Sequence, residues 1–323
     1  MPVALTAIIA AIVRPLAWLG RQGTRAVAAL VFIGIAIPPL GEALRPFVTE
    51  AVFLLLCISF MRVDLSALRL YLRRPAIVLA ATAWTLLAVP AITGVFWLAT
   101  GLRTASPDLF LGLMLQAVAS PMMASPSLAA LMGLDATLVL ITLVTGTALV
   151  PLTAPLFAYL FFGSALTLSP VALGAKLFLI LAGALAVAAI IRWLFGLATI
   201  ERHKAPIDGL NILILRVFVC AVMGPVAPSF WREPLQAFAL TLLAFAVFFA
   251  LLAATMLVFR RYGMERALAL ALMVSQRNMG LMVAATDGVL PGLTWLYFAL
   301  SQFPIYLSPQ LLKPIIGRLI KPR

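Results

Sequence analysis

Apolar residues in this chain come in long stretches that neither alternate with polar ones nor recur on a single helical stripe. Ten such stretches stand out, at about residues 26–40, 50–63, 75–100, 109–131, 136–162, 169–192, 208–228, 235–259, 266–287 and 292–312. The first two are short; most of the others match or exceed the roughly 20 residues that a helix needs to cross a hydrocarbon core about 30 Å thick. The reading is an all-α polytopic membrane protein with ten transmembrane helices. Ahead of them, residues 1–25 form an apolar run broken by Arg14-Pro15 and followed by Arg21 and Arg25. A signal peptide carries its charge before the apolar run, so an interfacial segment is expected there instead.

Most charged residues fall between the stretches, with Lys176, Arg216 and Arg277 left within them, and the sign of the others is uneven. Counted from an inner N-terminus, the inner segments hold Arg14, Arg21, Arg25, Arg62, Arg69, Arg73, Arg74, Arg192, Arg202, Lys204, Arg260, Arg261, Arg266, Lys313, Arg318, Lys321 and Arg323. The outer ones hold only Arg45, Arg103 and Arg232, a ratio of 17 to 3 that losing or gaining one helix would scramble. Both termini are therefore expected on the cytoplasmic side.

Two stretches are interrupted. The fourth is broken at 119–127 by Pro121 and Pro126, and the ninth at 275–280 by a polar cluster and Gly280. Each is the fourth member of a five-helix half, about 26–163 and about 168–316. An odd number of spans per half inverts one half against the other. Broken helices at matching places in inverted halves point to a transporter's substrate site, because the freed backbone groups must line a cavity or be buried in protein. No linker divides residues 26–323, which read as one integral membrane domain.

Composition agrees with this picture and removes other classes. Of 323 residues, 64% are hydrophobic and 10% charged, against roughly 25% charged in soluble domains, and the mean hydropathy is +1.16. The net charge of +13 would suggest nucleic acid in a soluble chain; here the cations sit at helix ends, so no nucleic-acid partner is expected. Cys57 and Cys220 lie in apolar runs and read as filler, and His203 as a solvated loop residue. Ser275, Ser301 and Thr147 have no histidine to activate them, and no intramembrane metal or aspartate-pair motif is present, so no enzyme, cofactor or metal is expected. No obligate protein partner is evident; the expected partners are the lipid bilayer and a small substrate.

The interrupted helices resemble those of the bile acid–sodium symporter family, ten-helix secondary transporters with two crossing discontinuous helices. The first crossing helix in that family carries Pro-Gly-Gly, Ser-Asn, Leu-Ala and Gly-Asp, followed by a hydroxyl-rich helix ending in Pro-Leu-X-X-Pro. The corresponding stretch here runs from Ser120-Pro121 through Ser125-Pro126, Leu131, Gly133 and Asp135 to Thr147 and Pro151-Leu152-Thr153-Ala154-Pro155. The second reads Glu, three residues, Gln-Asn, then Gly-Leu-Ala; this chain has Met273, three residues, then Arg277-Asn278-Met279-Gly280-Leu281. Phe53-Leu-Leu-Leu-Cys through Phe60-Met61 to Asp64-Leu65, and Arg74-Pro75 through Pro90, are similar to further family runs.

The resemblance implies sodium ligands around the crossover, and those positions have changed. Ser125 survives. The neighbouring Asn is Pro126, two hydroxyl residues are Val139 and Leu143, the bridging Glu is Met273, a Gln is Arg277 and another is Thr85. A guanidinium about 4 Å from sodium would repel it by about 4 kcal/mol at an effective dielectric near 20, so coupling at the usual sites is not expected.

An arginine inside a membrane segment marks a functional position, and its planar fork grips carboxylates and sulfonates in a bidentate manner. The expectation is a secondary transporter moving an organic anion by alternating access, with Arg277 taking the place of the cation. Arg277 either binds the anion directly or hydrogen-bonds the freed carbonyls of the broken helix. Asn278, Gln276, Ser275, Ser125, Thr147 and Arg216 are the further candidates for substrate contact; Arg216 alternatively snorkels, and Lys176, nearer the end of its span, is expected to snorkel. Asp287, nine residues beyond Asn278, is placed towards the outer surface. Without a titratable group in mid-span, a facilitator or exchanger is easier to defend than a proton symporter. The rivals are a sodium/organic-anion symporter with relocated ligands and a non-transporting receptor on the same fold. Compact loops suggest a bacterial inner membrane.

Overall fold

The computed structural model describes residues 13–19, 32–62, 75–162 and 168–320. Most of the expected interfacial segment 1–25, the first part of the span at 26–40, and Asp64, Arg69, Arg73 and Arg74 lie outside the described residues. Within them every regular element is helical. The principal helices are α1 (Pro38–Met61), α2 (Ala76–Ala99), α3 (Pro107–Val118), α4 (Ser125–Leu131), α5 (Ala136–Phe162), α6 (Pro170–Phe195), α7 (Lys204–Arg232), α8 (Pro234–Phe259), α9 (Met264–Ser275), α10 (Met279–Ala285) and α11 (Gly292–Ile320). Six of them, α1, α2, α5, α6, α7 and α8, are long and apolar enough to cross a bilayer, and α3 is a shorter apolar helix. The chain is thus an all-α integral membrane protein.

Proline marks many of the starts. Pro38, Pro107 and Pro234 occupy the first helical positions of α1, α3 and α8, and Pro126 the second of α4, where a missing N–H is no loss and a fixed φ favours the turn. This corrects one expected boundary. The spans at 26–40 and 50–63 were to be separated by an outer loop carrying Arg45; instead the turn falls at Ile37, and α1 runs on to Met61 with Arg45 in a 3-10 turn inside it. Ile37 precedes two prolines, which exclude it from helical backbone (φ −125°, ψ 72°).

The chain forms two compact units, each assembled from separate stretches of sequence. One comprises residues up to Val63 with Ile180–Trp231; the other comprises Asp64–Leu179 with Arg232–Arg323. In the first, α1 runs antiparallel to α7. A Cβ on Gly41 would come within 2.7 Å of the Cys220 carbonyl and the Gly224 Cα, and at the other end Arg62 pairs with Asp208 at 2.6 Å. Small residues let two membrane helices approach this closely.

The second unit holds the broken helices. Residues 267–277 of α9 and its continuation are buried without interruption, the mark of a helix enclosed on all sides. Its apolar core joins Met273 with Val139 and Leu143 of α5 and Ala81 of α2. Farther along α5, Pro155 has no N–H for the carbonyl of Pro151. Gly174 of α6 approaches that carbonyl so closely that a Cβ there would lie 2.9 Å from it and 2.8 Å from the Pro155 ring. Only a residue without a side chain permits so close an approach.

Candidate functional site

Helix α3 ends at Val118, Ala119 turns extended (φ −62°, ψ 150°), and helix resumes at Ser125. Likewise α9 ends at Ser275, Gln276 is extended, and α10 starts after Asn278. The two breaks pair with one another. Met122 donates its backbone N–H to Gln276 at 2.9 Å, and Asn278 donates to Ser120 at 2.8 Å, with Pro121 and Arg277 facing each other antiparallel between them. In that register the central pair exchanges no hydrogen bond, so proline sits there without losing one. Each broken helix thus supplies the backbone partners that the other has lost.

Two expected break residues have other roles. Pro126 lies in the first turn of α4, and Gly280 lies within α10. Breaking is done by Pro121 and the residues around it, and by Gln276 and Arg277. Asn278 closes the second break as an N-cap, its side-chain oxygen accepting from the Leu281 N–H at 3.3 Å.

Arg277 is 1% exposed and is the largest fully buried side chain described. Its Nη1 donates to the Ala119 carbonyl at 3.0 Å and to the Thr85 carbonyl at 3.3 Å, and its Nη2 to Thr85 at 3.4 Å. Both acceptors are carbonyls that helical bonding has abandoned. Ala119 is where the ladder of α3 stops. Thr85 belongs to a π-helical turn, Trp84–Ala88, in which the Val89 N–H bonds to Trp84. The next possible donor to Thr85 is residue 90, a proline with no N–H. Bonding of freed carbonyls is one of the two arrangements expected for Arg277. Its Nε has no partner, and no carboxylate among the described residues pairs with it.

A neutral chain of hydrogen bonds runs beside it. Ser125 donates to the Gln276 side-chain oxygen at 3.0 Å, and the Gln276 amide donates to Ser308 of α11 at 2.8 Å. Ser308 in turn donates to the Ile305 carbonyl. The surviving hydroxyl of the expected ligand set is therefore engaged by Gln276. Val139, Leu143 and Met273 share an apolar cluster, and the Thr85 hydroxyl is turned back onto its own helix, to the Ala81 carbonyl. No group of three or more His, Cys, Asp or Glu able to hold a metal occurs among the described residues.

The remaining candidates divide. Ser275 is buried and donates to the Leu272 carbonyl. Thr147 is buried without a partner, one residue beyond Gly146, which approaches the Pro121 ring. Arg216 belongs to α7, in the other unit, and is exposed. Asp287 sits past the end of α10 and forms an ion pair with Lys176. Sequence reasoning passed over Ser308 and the buried, unpartnered hydroxyls of Thr82, Ser120 and Thr142. It also passed over the π-helical turn, for which Pro90 was the available signal. Compared with protein-family models and with curated proteins, the chain matches none.

Proposed function

We propose that this protein is a secondary transporter of organic anions, a divergent relative of the bile acid–sodium symporters. In this reading it has ten helices in two inverted halves, both termini in the cytoplasm, and resides in a bacterial inner membrane. It works by alternating access without sodium at the crossover, where Arg277 is a permanent cation. The observation that supports this most is the Arg277 fork on the carbonyls of Ala119 and Thr85, next to apolar residues at three of the expected ligand positions. Oxygen-rich surroundings are what hard cations need, and here the guanidinium already engages the available carbonyls. Its uncompensated charge lowers the energy of an organic anion brought near the crossover.

The test is uptake of radiolabelled cholate and of short carboxylates such as lactate into liposomes containing the purified protein, in sodium chloride and in choline chloride. Equal saturable uptake in both salts is expected. Uptake only with sodium would overturn the sodium-free reading, and saturable binding without any uptake would identify a receptor.

A second reading, a sodium symporter with relocated ligands, draws on the buried hydroxyls of Thr82, Ser120, Thr142 and Thr147, none of which has a partner. Sodium dependence that survives Arg277→Gln but is lost in Thr147→Val would favour it.

A further inference from the structure

Helix α2 has two faces. Ala81, Thr82, Thr85, Leu86 and Val89 are buried on the side that meets Arg277. On the other side Ala80, Ala83, Leu87, Ala88 and Ala91 recur at helical spacing and line an open groove of about 500 Å³. Four of these five are alanines, so the helix backbone itself forms a low floor. Trp84 stands in the groove as a wall, fixed by its indole N–H donating to the Thr255 hydroxyl of α8 at 3.0 Å. The far wall is the end of α8, Val258 and Phe259, and beyond it lies Arg261.

Arg261 gives this apolar channel a charged end. Its guanidinium lies over the Tyr262 ring at 5.0 Å and donates to the Tyr262 hydroxyl at 3.3 Å. Arg260 stands beside it, also exposed. Neither has a carboxylate partner among the described residues. An apolar channel that ends at Arg261, with Arg260 next to it in sequence, near the end of a membrane helix complements a molecule with a hydrocarbon tail and an anionic head. In a bilayer that molecule is abundant, and clustered cations at helix ends select its anionic forms.

We infer that the groove along α2 is a binding site for an anionic phospholipid, with one acyl chain between Trp84 and the alanine floor and the phosphate on Arg261. The guanidinium fork suits a phosphate, and the acyl chain removes the alanine face and the exposed edge of Leu87 from contact with bulk lipid. The site is separate from the crossover, because it uses the opposite face of α2.

The test follows Trp84 fluorescence in the full-length protein, reconstituted in dioleoylphosphatidylcholine with increasing fractions of lipid brominated on its acyl chains. Brominated phosphatidylglycerol should quench the component that Trp84→Phe removes at about fivefold lower mole fraction than brominated phosphatidylcholine, since one surface cation favours an anionic lipid by roughly that factor. Arg261→Gln should abolish the difference while leaving the spectrum of the folded protein unchanged. Ala88→Phe, which fills the channel, should weaken quenching by both lipids. Equal quenching by the two lipids in the unaltered protein would overturn the inference, as would a preference that survives Arg261→Gln. Relief of quenching by cholate at low concentration would also overturn it, by showing the groove to be a path for the transported anion.

Discussion

Arg277 and Thr85 lie 192 residues apart in sequence, and the guanidinium of one donates twice to the carbonyl of the other. The bond exists because of a third residue. Pro90 has no N–H to offer, the helix shifts to π-type bonding, and Thr85 is left with a carbonyl that no backbone donor reaches. A side-chain fork from the opposite broken helix fills the position. In a bilayer interior an unpaired carbonyl is costly, so the arginine is both a structural pin and a buried cation where the two breaks pair.

The charge and the fork can be separated by substitution. Arg277→Lys keeps the charge and loses the planar donors, whereas Arg277→Gln keeps donors and loses the charge. Both should lower the melting temperature of the ligand-free protein, since a buried group left without its partner costs about 1–3 kcal/mol. Only the Lys variant should retain stabilisation by added organic anions. If the Gln variant is stabilised by anions as well as the unaltered protein is, the charge is not what receives them.

Pro90→Ala restores an N–H five residues after Thr85 and competes for the same carbonyl. Arg277 should then matter less. In a double-mutant cycle with Arg277→Gln, melting experiments should return a coupling of about 0.5–3 kcal/mol, the range for residues that share a partner. Strict additivity would show that the π-helical turn and the arginine are independent.

Gln276→Leu removes the centre of the chain from Ser125 to Ser308: the buried Ser125 hydroxyl loses its acceptor, and Ser308 loses the amide that donates to it while keeping its bond to Ile305. A loss of about 1–3 kcal/mol is expected. Adding Ser125→Ala and Ser308→Ala should recover part of it, because absent hydroxyls need no partner. Failure of the triple variant to exceed the single one in melting temperature would mean that the chain is incidental.

Gly174→Ala forces a methyl group against the Pro155 ring and the Pro151 carbonyl, where the first contacts would be 2.8 and 2.9 Å. Overpacking of this kind costs about 1–3 kcal/mol. Gly317→Ala in α11 meets nothing within 4 Å and should be neutral or stabilising, since alanine is favoured over glycine in a helix by about 1 kcal/mol. Thermal unfolding of the two variants side by side checks both signs.

The sequence pointed to the two interruptions and to Arg277 because both violate a strong local rule: polar or helix-breaking residues have no place in an apolar span. It was less informative about what each residue does at the break. Proline both stops and starts helices, so Pro121 and Pro126 look alike in sequence although only the first lies in the break. Gly280 is compatible with a helix and is part of one. Arg45 looked like a loop residue because it is charged, while the actual turn is set by two neutral prolines after Ile37. Above all, the acceptors of Arg277 are backbone carbonyls. Every residue carries one, and only the hydrogen-bonding register of the folded helices reveals which have been freed.

The pairing of Ser120 with Asn278 also sets a clock on synthesis. The two residues are separated by 158 positions in the chain, and ribosomes add about 5–20 residues per second. The carbonyl of Ser120 is therefore made roughly 8–30 s before its partner. Until Asn278 has been made and inserted, the first interrupted helix must find other partners for its freed backbone groups, in water, in the insertion machinery or in other protein.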